Sequence, residues 1–406
     1  MMNHNIAIIN TCDWGSTGKI AIGLQNYLNS KSIKVLFCYG RGEIRDDDER
    51  FCFNNKIEVW MHYLDKCITG RLNNSSKSAT KRLISKLRKS GVKCIYIVNL
   101  HGCIISEKIF FDYLIKDQIH VVYIMADESA FLGNCTYRAG CEYYLYGCKQ
   151  CRQLNTIQNM MWHASERSYN LKQEAYRQIK NIIFVGPEFV VKCARTSPLM
   201  KSKDFQIIDE AIDVKTNRPV NSENLRKELK IPDNKIILVC VAPYSYSRKG
   251  VKYYVEAARQ LEEDDRYVFV NVGYDKKDKS GLPHNYIPVG YVNNQQKLRE
   301  FYSMADLFVF PSLQDTMPNA CLEALACGSP LLCFDISGMP YMADRTVMKL
   351  VEAKNVGQMV EAIKETKKKT QQIIDTCRKY ALKRFDNQNY YEKLVNIMNS
   401  LNKNSI

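Results

Sequence analysis

Apolar positions in this chain fall into short blocks of two kinds. Runs of four to seven apolar residues bounded by Gly, Pro or polar clusters read as strands buried on both faces, and longer segments with apolar residues at three- and four-residue spacing read as helices. In the first half, strands are predicted at 6–9, 35–39, 94–98, 121–125 and 182–185, with a loop at 10–19, a helix at 20–28 and further helices between the later strands. A second series follows, with strands at 235–241, 267–272 and 287–290 and helices at 251–261 and 295–302. Such alternation predicts doubly wound α/β domains. Residues 196–221, of mixed charge and with Pro198 and Pro219, are the expected hinge. The last segment, 387–401, places Tyr391, Leu394, Ile397 and Met398 on one helical face.

At 406 residues, the chain has room for two or three domains. With 46% hydrophobic and 25% charged residues it reads as globular, and no apolar run approaches the roughly 20 residues of a membrane-spanning helix. The N-terminus enters a strand at once, without a basic region and long apolar stretch, which argues against export. Most of the sixteen cysteines, such as Cys240, Cys321, Cys327 and Cys333, sit in apolar segments where a free thiol behaves as a small hydrophobe, so a reducing cytoplasm is expected. The net charge of +15 points to an anionic partner or surface without choosing one. Nucleic acid is not expected, because no recognisable module and no basic patch interleaved with aromatics is present.

The stretch 305–334, ADLFVFPSLQDTMPNACLEALACGSPLLCF, is the most informative. Its strand at 307–310 is stopped by Pro311. A helix follows, with Pro318 in the first turn, Leu322 and Leu325 on the apolar face and Gly328 at the cap, and then a strand at 331–334. In a doubly wound sheet the loop 312–317 lies beyond a strand's carboxyl end, where ligands bind. The first amides of the helix are a ready anion site. A carboxylate there, Asp315, would be repelled by phosphate unless it also met hydroxyl groups, and a nucleotide sugar supplies both.

These residues resemble the acidic motif of group 1, or family 4, glycosyltransferases. Asp315 stands where that family usually has its first glutamate, and Glu323, eight positions on, matches the second. The resemblance implies the GT-B fold: two doubly wound Rossmann-like domains facing a cleft, with a C-terminal helix crossing back. The expected boundaries are 1–205 for the acceptor-side domain, 206–386 for the nucleotide-sugar domain and 387–406 for the returning helix. It implies a retaining transfer from a nucleotide sugar, taken as a UDP-sugar, to a saccharide or lipid-linked saccharide in cell-surface polysaccharide biosynthesis. No cofactor is required for catalysis. Glu323 would bind the donor ribose and Asp315 the transferred sugar, with Thr316, Met317, Pro318 and Asn319 contributing to the donor site.

Other positions follow from the same resemblance. Lys249 carries over directly, while Arg248 is an inferred substitute for an arginine whose usual place Tyr244 occupies. Gly273 matches a glycine at a strand end, and Tyr291 and Val292 adjoin the segment expected to meet the donor base. Gly15, Ser16, Thr17 and Gly18 form a glycine loop after the first strand; it lacks the spacing and the Ser/Thr of a phosphate-binding P-loop. That loop is assigned to donor phosphates or acceptor, against the alternative of a plain tight turn. His101 belongs to an HG pair, and Asp127 is retained from a segment where Ala126 replaces a histidine. His101, Asp127 and the adjacent Glu128 are the acceptor-side candidates. Departures at Tyr244, Ala126, Glu210, Ala211 and Tyr341 support a rival reading, a non-catalytic relative that binds a saccharide or a partner subunit.

Two further features stand apart from the motif. Cys135, Cys141, Cys148 and Cys151 crowd a polar loop, 133–152, and suit a structural zinc; free thiols or a disulfide are the alternatives. The segment SSKSATKRLISKLRKSG surrounds an apolar stripe of Ala79, Leu83, Ile84 and Leu87 with Lys77, Lys81, Arg82, Lys86, Arg88 and Lys89. It reads either as a peripheral contact with an acidic membrane surface or as an outer helix with a solvated face.

Overall fold

The computed structural model describes residues 5–72, 74–151, 153, 161–162 and 164–403. Position 152, at the end of the cysteine-rich loop, and positions 404–406 of the expected last helix lie outside the described residues. The chain divides into two units, Met1–Ile208 with Gln388–Ile406, and Asp209–Asn387.

The first unit is built on seven strands: β1 (Ile6–Cys12), β2 (Val35–Arg41), β3 (Arg50–Cys52), β4 (Cys94–Ile97), β5 (His120–Ile124), β6 (Ile182–Gly186) and β7 (Asp204–Ile207). All neighbouring pairs run parallel, in the order β3-β2-β1-β4-β5-β6-β7. The order reverses between β1 and β4. The second unit carries β8 (Ile236–Val241), β9 (Tyr267–Val272), β10 (Tyr286–Val289), β11 (Leu307–Phe310), β12 (Leu331–Phe334) and β13 (Met348–Val351), again all parallel, in the order β10-β9-β8-β11-β12-β13. Its reversal falls between β8 and β11. Both sheets are therefore doubly wound, and the central strands are continuous apolar runs because helices cover both faces.

The boundary between the units, between Ile208 and Asp209, falls inside the hinge expected at 196–221, which also contains β7 at the edge of the first sheet, with Phe184 opposite Phe205. Other expectations are corrected. The glycine loop expected at 10–19 is shorter. β1 runs to Cys12 and a helix starts at Gly15, so Gly15, Ser16, Thr17 and Gly18 are its first turn. A Cβ on Gly18 would lie 2.8 Å from the Asp13 carbonyl carbon, so glycine is there for close helix–strand approach.

The helix Asn387–Lys403 packs within the first unit. Its Tyr391 ring lies 5.7 Å from that of Tyr27, over Gly23, where any side chain would collide with the Tyr391 hydroxyl. Tyr96 donates from its hydroxyl to the Leu394 carbonyl at 3.2 Å.

The helix Lys77–Lys89 buries Ala79, Leu83, Ile84 and Leu87 in the core of the first unit, and carboxylates meet three of its cations: Glu58 with Arg82, Asp46 with Lys86 and Asp117 with Arg88. Its apolar stripe is thus unavailable to a lipid surface, which corrects that part of the membrane expectation. The zinc expectation is corrected as well. Among the described residues no group of three or more His, Cys, Asp or Glu side chains stands close enough to hold a metal ion, so Cys135, Cys141, Cys148 and Cys151 do not converge.

Candidate functional site

In the second unit, the loops after β8 and β11 leave neighbouring strands at the reversal point of the sheet. The first loop ends in a single turn, Ser247–Lys249, closed by Gly250 at φ +66°. A Cβ there would sit 1.9 Å from the Pro311 carbonyl oxygen, so only glycine lets the two loops touch. The Leu313 amide then donates to the Arg248 carbonyl at 2.7 Å.

This contact brings Arg248, Lys249 and Asp315 together. Arg248 donates to Asp315 Oδ1 at 3.0 Å and to the Gln314 carbonyl at 2.9 Å, while Lys249 Nζ reaches both carboxylate oxygens at 2.9 and 3.1 Å. Ser312 donates its hydroxyl to Asp315 Oδ2 at 2.6 Å. The Asp315 carbonyl is pinned by the Gly338 amide and the Ser337 hydroxyl from the turn after β12. Two cations thus converge on one nearly buried carboxylate beside the helix Asn319–Ala326. The cap residue of that helix is Pro318, with no side-chain cap, and Asn319 Oδ1 is buried with no hydrogen-bond partner among the described residues. Open amides and adjacent cations make the end of the helix a site for an anion.

Glu323 lies in the middle of the same helix and is buried. Its Oε2 accepts from the Tyr302 hydroxyl at 2.8 Å. Burial and then the Glu323 charge push the Tyr302 hydroxyl far above its ordinary range, so it remains a donor. Thr316 and Met317 are buried, so the loop they occupy offers its backbone rather than their side chains. Gly273, at φ +94°, directly follows β9, and a Cβ there would lie 3.3 Å from the Ala242 carbonyl carbon. Tyr291, 86% exposed, and the half-buried Val292 follow the edge strand β10. From Tyr291 to Gly273, Lys249 and Asp315, the expected donor residues follow the carboxyl edge of four successive strands.

The first unit gathers a separate cluster at its own reversal point. Asn99 Oδ1 accepts from the Thr11 hydroxyl at 3.1 Å and from the His101 amide at 2.9 Å. His101 Nε2 stands 2.9 Å from Asp127 Oδ2, and the Ser129 amide donates to Asp127 Oδ1 at 2.8 Å. Burial pushes Asp127 upward, but the His101 imidazole and the Ser129 donors outweigh it and leave its carboxyl below the usual range. Glu128 has a different part. It is fully buried, Arg138 donates to it from both the guanidinium and the backbone, and it holds the loop together. Tyr302, Ser312, Thr11 and Asn99 were not among the expected residues; only three-dimensional packing places them.

Two doubly wound parallel sheets, the second presenting cations, an acidic pair and an open helix end at its reversal point, give the chain the GT-B fold. Residues 221–384 match the family described as glycosyl transferases group 1. It is 33% identical over 141 residues to a Bacillus subtilis glycosyltransferase named TuaC for teichuronic acid biosynthesis, 35% of each chain. It is 26% identical over 208 residues to the Campylobacter jejuni N,N'-diacetylbacillosaminyl-diphospho-undecaprenol alpha-1,3-N-acetylgalactosaminyltransferase, covering 49% of this chain and 55% of that one. The chain thus spans about a third to a half of these curated relatives. Among solved structures, Anabaena Alr3699/HepE in complex with UDP-glucose superposes with a TM-score of 0.64 at 12% identity, covering 97% of this chain and 99% of that one.

Proposed function

We propose that the protein transfers a sugar, with retention, from a UDP-sugar to a saccharide or lipid-linked saccharide acceptor in cell-surface polysaccharide assembly. The observation that carries this reading is the convergence of Arg248 and Lys249 on Asp315 beside the uncapped helix Asn319–Ala326. The donor's diphosphate takes the two cations and the helix amides, and Asp315, displaced from them, turns its acceptor oxygens to the hydroxyls of the transferred sugar. Glu323, held by Tyr302, accepts from the ribose hydroxyls. As the glycosidic bond breaks, charge accumulates on the leaving diphosphate, and Lys249 and Arg248 stabilise it there. Such preorganised contacts are each worth about a hundredfold to a thousandfold in rate. On the acceptor side, His101 and Asp127 form a hydrogen-bonded pair able to orient a hydroxyl or receive its proton.

The choice of uridine rests on the UDP-glucose bound to the structural neighbour, and the lipid-linked acceptor on the diphospho-undecaprenol in the Campylobacter relative's name. A panel of nucleotide sugars tested by thermal shift and then for transfer decides the matter. A UDP-sugar is expected to raise the melting temperature and to be turned over by the wild type but not by Glu323→Ala. Binding without turnover on any acceptor would favour the non-catalytic relative.

A further inference from the structure

The helix Lys56–Thr69 in the first unit is amphipathic in the inverted sense. Its one buried side chain is His62, whose Nδ1 lies 2.7 Å from the Ser76 hydroxyl. Its apolar residues face solvent: Ile57, Trp60, Met61 and Ile68 are each about 60–70% exposed, with the half-exposed Leu64 between them. Spacing of three, one, three and four residues puts these five on one stripe. The patch continues onto a second segment. The Met161 amide donates to the Cys67 carbonyl at 3.0 Å, and the Trp162 backbone packs against Gly70, which leaves the side chains of Met161 and Trp162 70% and 64% exposed. Apolar surface of this extent costs free energy in water and marks a contact face.

Charge says what covers it. Between positions 56 and 93 the sequence carries ten Lys or Arg and two acidic residues. One of the two, Glu58, is already taken by Arg82, which ties the stripe to the neighbouring helix Lys77–Lys89. Lys56 at the head of the stripe and Lys77 and Lys81 on that neighbour are exposed. A second copy of the chain would bring an equally cationic face against this one. An anionic bilayer offers hydrocarbon for the stripe and negative headgroups for the lysines, and tryptophan beside lysine is the side-chain chemistry of that interface.

We propose that the stripe Ile57, Trp60, Met61, Leu64 and Ile68, with Met161 and Trp162, inserts into the surface of an anionic lipid bilayer, with Lys56, Lys77 and Lys81 on its headgroups. The helix Lys77–Lys89 takes part through its lysines alone, since its own apolar stripe is in the core. Lipid contact by this face and donor binding by the second unit are separable.

Flotation of the full chain with vesicles of phosphatidylcholine, with and without phosphatidylglycerol, tests the proposal. The wild type is expected to float with the mixed vesicles only and to be released by high salt. Trp60→Ser with Met61→Ser weakens binding by at least about tenfold through lost apolar burial. Lys77→Glu with Lys81→Glu does so to a similar degree through lost headgroup attraction. Both double variants alter exposed positions and keep the wild-type melting temperature and UDP affinity. In the unmutated chain, brominated lipid is expected to quench tryptophan fluorescence, a readout independent of any variant. Flotation indifferent to phosphatidylglycerol, or undiminished in the Trp60→Ser, Met61→Ser variant, overturns the proposal. So does a dimer in sedimentation that the same variant converts to monomer.

Discussion

Asp315→Asn separates binding from transfer. The Asp315 carboxylate lies about 3 Å from both Lys249 Nζ and Arg248, and at an effective dielectric of about 20 each such contact is worth roughly 5 kcal/mol of gross attraction. The Arg248 side chain is 35% exposed and the carboxylate is desolvated, so about 1–2 kcal/mol remains as the net hold on the cations. An incoming diphosphate must overcome that hold. The asparagine is nearly isosteric, keeps a partner for Ser312 and removes the negative charge that holds both cations. UDP is therefore expected to bind about 5–30-fold more tightly to the variant in isothermal titration. Transfer is expected to fall by about a hundredfold, because the contact that positions the sugar is lost. Unchanged or weaker UDP binding in Asp315→Asn would refute the idea that donor and carboxylate compete for the same cations.

Three other outcomes follow from the geometry. Tyr302→Phe removes the hydroxyl that satisfies the buried Glu323 carboxylate and is expected to cost about 1.5–3 kcal/mol in denaturant unfolding, together with a higher KM for donor. Gly250→Ala forces a Cβ against the Pro311 carbonyl at positive φ, so a loss of at least about 2 kcal/mol is expected by thermal melting, with UDP affinity falling because Lys249 shifts. Burial pushes His62 down from 6.5 to about 4, so below pH 6.5 the unfolded chain takes a proton that the folded one refuses. This contribution is complete above pH 6.5 and is lost as pH falls toward 4, by about 3 kcal/mol. Melting curves across that window are expected to be flatter for His62→Gln.

The parts of the fold that were legible in the sequence are those set by local pattern. The run 307–310, stopped by Pro311, reads as a strand buried on both faces, and it is one; the spacing of Asp315 and Glu323 around Pro318 placed them on a loop and the following helix. Edge strands gave no such signal. β3 has three residues and β7 is mostly exposed, so neither needs an apolar run, and Pro198 with mixed charge made the region of β7 look like a linker. Glycine was ambiguous for a physical reason: Gly18 serves close packing inside a helix, whereas the same residue type in a row suggested an open loop. Partners were the least legible. Tyr302 and Ser312 reach their carboxylates only through tertiary contact, and the spacing of the four cysteines does not fix where their thiols point. The basic helix was read correctly as amphipathic, but which of its faces meets the core depends on neighbours the pattern does not contain.

The most direct test of the donor site is isothermal titration of UDP into the wild type and Lys249→Ala. The account expects saturable binding by the wild type and a loss of about tenfold or more when the lysine is removed, since one of the two cations gripping the diphosphate is gone. Absence of binding at millimolar UDP, or equal affinity in the two proteins, would contradict it.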